Sequence, residues 1–164
     1  MAIRKGRFFT FLLTFFFAAT SVHATQSISY SDDEFGPVVR AYLGYLRNEQ
    51  EVVDDRASRR EVSSNYYRHN SNRIKALRQM AIRLARETHN DYLPELEAVS
   101  AAEFGLLFGS NPPSTARLRS GEVLRNTFRF LGVVRAGETF YLFARLDPYE
   151  QAEQTEKSSA VRRP

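Results

Sequence analysis

From residue 32 to residue 88 apolar side chains recur at the spacing of a helix. Phe35, Val39, Tyr42, Leu46 and Val53 follow one another at steps of three, four or seven, which puts them on one stripe. Ser31 or Asp32 is the expected cap, and the acidic residues that follow suit the positive end of a helix dipole. Pro37 is tolerated only at a helix start, so the helix is expected to become regular at Gly36 or Pro37. A second stripe, Ile74, Leu77, Ala81, Leu84 and Thr88, follows downstream.

The two stripes share one heptad count, since Val39, Leu46, Val53, Arg60, Tyr67, Ile74 and Ala81 are all seven apart. Either one long broken helix forms a coiled coil with another chain, or two helices fold back on each other. "SSNYYRHNSN" between the stripes holds weak helix formers, and Asn70, Ser71 and Asn72 are good caps for a new helix. The hairpin of helices is therefore preferred.

Beyond Pro94 the period changes. "ELEAV", Glu95–Val99, reads as a strand, and Ser100 with Glu103 has capping-box spacing ahead of a short helix over Ala101–Phe108 that Gly109 ends. "RFLGVVRAGETFYLFARLDP" reads as a β-hairpin with Arg135, Ala136 and Gly137 as its loop and Val134 opposite Glu138. A lone hairpin is marginal in water, so "ELEAV" is the candidate third strand. On strict alternation one face carries Phe128, Phe130, Val134, Phe140, Leu142 and Ala144. The other carries Arg129, Leu131, Val133, Thr139, Tyr141 and Phe143. Both are too apolar to lie bare.

The fold class is thus α+β: a long helical hairpin, a short helix and a C-terminal antiparallel β-hairpin within a three-stranded sheet. One domain over residues 32–147 is expected. "GSNPPSTARLRSG" reads as a plain connector, and residues 148–164, polar and without apolar periodicity, as a disordered tail.

The N-terminus changes the reading of charge. Arg4, Lys5 and Arg7 precede the apolar run "FFTFLLTFFFAA", and Val22 and Ala24 stand where a signal peptidase reads small residues. This pattern predicts a secretory signal peptide over residues 1–24 and a flexible stretch over 25–31. It places the mature chain in the periplasm or outside the cell, with no transmembrane segment left after cleavage. The chain has no cysteine, so stability must come from packing without disulfides. Three of the 23 basic residues lie in the signal, leaving 20 against 19 acidic ones. A near-neutral exported chain disfavours nucleic acid as a partner. Charge is instead uneven along the chain: residues 32–55 carry seven acidic and two basic side chains, residues 56–86 nine basic and one acidic.

Candidate chemistry is sparse. No phosphate loop, dinucleotide fingerprint, zinc spacing or nucleophile elbow is present, and no cofactor is expected. His69, His89, Asp91 and Glu95 are the only set that could be drawn as a metal site. Adjacent or alternate acids such as Asp54 and Asp55, or Glu95 and Glu97, lack the divided environments that an acid/base pair needs. The candidate interaction surface combines the basic helix residues Arg73, Lys75, Arg78, Arg83 and Arg86 with the sheet residues Leu131, Val133, Tyr141 and Phe143. It would take a protein partner or a second copy, or an anionic polymer or lipid head group. The favoured function is a non-enzymatic exported binding or structural module. Its alternatives are a chaperone-like holdase and a small hydrolase or metal-dependent enzyme using His69, His89, Asp91 or Glu95.

Overall fold

The computed structural model describes residues 32–161. The expected signal peptide and the stretch 25–31 lie outside the described residues. A 3-10 turn, Asp32–Glu34, leads into α1, Pro37–Ser58. The proline sits at the helix start, where its missing N–H costs nothing. Ser31 also lies outside the described residues, and Asp32 makes no cap: its carboxylate takes Arg78 at 2.7 Å. The cap comes from far away in sequence, because Asp91 accepts the N–H groups of Val38 at 2.8 Å and Val39 at 2.9 Å.

The chain turns back between α1 and α2, Ser64–Thr88. Glu61 N–H donates to Arg56 C=O and Arg60 N–H to Ala57 C=O, both closing on Arg60 in the left-handed region at φ 59°. That pair of bonds is the Schellman stop of a helix, here built without glycine. Ser63 then caps α2 by accepting the Tyr66 N–H at 3.2 Å. The new helix thus starts earlier than Asn70, Ser71 and Asn72, which lie inside it. Ser71 and Asn72 are buried, and their polar atoms are used across the packing: Gln50 of α1 donates to Ser71 Oγ at 3.0 Å. A helical hairpin, not one long helix, is what the heptad series encodes.

The sheet has the order β1-β4-β3-β2 with every neighbour antiparallel. β1, Glu95–Val99, pairs with β4, Thr139–Arg145, so "ELEAV" does complete the hairpin. A fourth strand, β2, Val123–Leu124, adds to β3, Phe128–Arg135, through a turn in which Arg125 and Asn126 both have positive φ. Such a turn matches the twist of a two-stranded ribbon. Arg135 pairs with Thr139, which makes Ala136, Gly137 and Glu138 the loop, one residue later than expected.

A bulge decides which side chains face where. Phe130 pairs with Phe143 and Gly132 with Leu142, so Leu131 is an extra residue, and Gly132 takes φ 145°. One inserted residue reverses the alternation of everything before it. Phe128 and Phe130 therefore share a face with Tyr141 and Phe143, while Leu131 joins Val134, Phe140 and Leu142 on the opposite face.

The two faces are covered by different elements. The helical hairpin lies on the first, where Val39, Leu43, Ala76, Met80, Ala81 and Ala85 meet Leu96, Ala98, Val134, Phe140 and Leu142. Because α2 touches both α1 and the sheet, its buried positions are wider than the predicted stripe. On the second face a 3-10 turn, Ala101–Glu103, and α3, Phe104–Phe108, bring Phe104 and Phe108 onto Phe128, Phe130 and Phe143. Phe143 has ring centroids at 5.3 Å to both Phe108 and Phe130, the range of favourable tilted and edge contacts.

The tail beyond Asp147 is corrected by helix α4, Pro148–Val161. Asp147 Oδ1 accepts the N–H groups of Tyr149 and Glu150, and Glu150 returns a carboxylate to the Asp147 N–H at 3.3 Å. "DPYE" is a capping box with proline at the first helical position.

Candidate interaction surface

The basic face of α2 is largely neutralised by its own chain. Arg78 bonds Asp32, Arg86 bonds Glu34 at 2.5 Å and lies over the Phe35 ring, and Arg73 turns inward to Glu103. Lys75 and Arg83 remain exposed without an ion pair among the described residues. Lys75 and Arg78 border a groove of ≈ 340 Å³ between α1 and α2, lined also by Leu46 and Ile74.

The predicted sheet surface does not exist as one face. Phe143 is fully buried beneath α3 and Tyr141 lies edge-on to Phe104 at 5.0 Å. Leu131 is on the helical side. Only Val133 stays open, 43 % exposed.

The candidate metal ligands are also dispersed. Asp91 caps α1, His89 is the left-handed C-cap of α2 at φ 51°, and Glu95 pairs with Arg145 at 3.2 Å. Among the described residues no group of three potential ligands could hold a metal.

His69 belongs to a different cluster. Its Nδ1 is 2.8 Å from Glu138 of the hairpin loop and its Nε2 is 3.0 Å from Glu103. Arg73 donates to the same Glu103 oxygen, Asn72 donates to Glu138 at 3.3 Å, and the imidazole ring rests on Phe140 at 5.5 Å. Burial pushes the Glu103 carboxyl up, but the Ser100 N–H, His69, the Ser100 hydroxyl and Arg73 outweigh it and bring it down to about 2. The cluster ties α2, the turn before α3 and the hairpin loop together, with Arg73 Nε buried and without a hydrogen-bond partner among the described residues. Gly137 belongs to this contact, since a Cβ there would lie 2.7 Å from Asn72 atoms and its φ is 80°.

Exposed arginines unanticipated in the sequence lie on the α3 side of the sheet. Leu118 packs on the aromatic cluster beside α3, which turns its neighbours Arg117 and Arg119 out to solvent. Arg125 donates to the Asn111 C=O at 2.8 Å, beyond the end of α3, and Arg135 follows Val133 on the same face of β3. All four arginines are exposed, and none forms an ion pair among the described residues. Glu122 is the one carboxylate lining the hollow at Arg117 and Arg119. On the same side of the sheet Leu106 of α3 is 86 % exposed. The signal available in sequence was "ARLRS", a single apolar residue between two arginines, inside a stretch taken as a plain connector.

No helix among the described residues is long and apolar enough to cross a membrane. Comparison with family models, with curated proteins and with solved structures finds no match for this chain.

Proposed function

We propose that this chain is an exported, non-enzymatic binding module for an anionic partner, and that it binds through the α3 side of the sheet. The observation that supports this reading is the set of exposed arginines at 117, 119, 125 and 135, which no carboxylate of the described chain pairs with. The basic residues of α2 contrast with them, because three of those five are satisfied internally. Cations without an ion pair on one side of the sheet raise the local concentration of anions and speed their capture.

The polar residues that a hydrolase or metal enzyme would draw on hold elements together here: Asp91 caps a helix, and His69 bridges two carboxylates from separate elements. A holdase would draw on Val38, Tyr45 and Val52, seven apart on α1 and each at least half exposed. That stripe is narrow beside the arginine face.

Heparin titrated into the protein in a calorimeter tests the reading. Binding that weakens with salt and falls in the Arg117→Gln/Arg119→Gln double variant is expected. No binding, or binding untouched by the double variant, would overturn it.

A further inference from the structure

We propose that the anionic partner is a lipid bilayer surface, with Leu106 as the side chain that enters it. The inference rests on the arginine-face reading above and names its partner.

The argument starts from what α3 does with its apolar residues. Five residues long, it has the sequence FGLLF. Phe104 and Phe108 are buried and Leu107 is partly buried on the aromatic cluster. Leu106 is left pointing away, 86 % exposed, the most exposed large aliphatic side chain among the described residues. A soluble polyanion gives such a residue nothing, because sulfates and phosphates on a polymer offer no apolar phase. A bilayer offers both layers at once: head-group phosphates at the level of guanidinium groups and acyl chains just beneath.

The placement fits that order. Leu106 projects from the helix that caps the cluster, and Leu118 anchors Arg117 and Arg119 to the same cluster. Arg125 is tied by its hydrogen bond to Asn111 just past α3, and Val133 with Arg135 extends the face along β3. Arginine suits this role, since its planar fork engages phosphate oxygens two at a time. The aromatic cluster beneath keeps α3 rigid, so little ordering is lost on contact.

The test uses the chain beginning at Thr25, which retains every described residue and omits the N-terminal apolar run. Co-sedimentation is measured with vesicles of phosphatidylcholine alone and of phosphatidylcholine with about 30 % phosphatidylglycerol. Binding to the mixed vesicles alone is expected. The Arg117→Gln/Arg119→Gln variant should bind about thirtyfold more weakly, and Leu106→Ser about tenfold more weakly, each with unchanged circular dichroism. Leu106→Ser should leave heparin binding unaltered, which separates the two parts of the surface. Heparin binding without vesicle binding would overturn the bilayer inference and leave the broader reading standing. Binding to neither would overturn both. Vesicle binding that Leu106→Ser does not weaken would overturn the role of Leu106.

Discussion

Gly36 lies so close to Asp91 that a Cβ added to it would sit 2.3 Å from Asp91 Cγ. The carboxylate occupies that space because it caps α1, accepting two backbone N–H groups that the helix itself leaves unpaired. Asp91→Ala should therefore lower stability by about 1–2 kcal/mol, and Gly36→Ala should also destabilise, by displacing the same carboxylate. Asp91→Asn should retain part of the effect, since one acceptor oxygen remains. Denaturant unfolding of the three variants measures this, and equal stability in all of them would remove the cap from the account.

Phe143 is a core residue and should behave as one. Phe143→Ala removes a fully buried ring that four other phenylalanines contact, at a cost of about 3–5 kcal/mol. Thermal unfolding followed by near-ultraviolet circular dichroism should show the loss of packing. A variant of normal stability would mean that the ring is free to leave the cluster.

Glu103 links stability to acid. Its carboxyl is held at about 2 against an ordinary value of 4.5, so the folded state binds fewer protons than the unfolded chain in that window. Its contribution is complete above about 4.5 and disappears as pH falls towards 2. Glu103→Gln should lower stability at neutral pH by roughly 2 kcal/mol of lost charge-assisted bonding, and with it the unfolding temperature. It should also flatten the decline of the unfolding temperature with acid. A decline identical to that of the wild type would show that other carboxylates account for it.

Tyr42 acts at the alkaline end. Burial, with Tyr45 and Glu97 nearby, pushes its hydroxyl up to about 12 from 10.0. The unfolded chain loses that proton first, so stability should fall as pH rises from 10 towards 12. Tyr42→Phe should weaken the fall, and ultraviolet titration of the phenolate should lose its latest component.

Gly132 tests the bulge. Its φ of 145° is one that a side chain rarely adopts, so Gly132→Ala should destabilise. Deleting Leu131, the extra residue, would leave Phe130 opposite Phe143 and Gly132 opposite Leu142 in unbroken alternation, so Phe128 and Phe130 should stay on the α3 side and the near-ultraviolet circular dichroism of the aromatic cluster should persist. Loss of that signal in the deletion variant would show that the bulge is not what sets the faces.

Local signals carried far in this chain. The pair of helices, the Ser100–Glu103 box, the strand at Glu95–Val99 and the hairpin are written in contiguous residues, and the structure contains all of them. "DPYE" was equally local, yet a polar composition masked it. The interaction surface was less legible. Arg73, Arg78 and Arg86 looked free because their partners Glu103, Asp32 and Glu34 lie at least 30 residues away.

By itself, then, the sequence determined the succession of helices and strands, because periodicity and caps act within a few residues. The tertiary structure decided what those elements present. A single extra residue at Leu131 exchanged the faces of β3, Asp91 closed a helix that its own residues leave uncapped, and packing of Leu118 turned Arg117 and Arg119 outward. Each is a contact between residues distant in the chain, whose geometry exists only once the layers have come together.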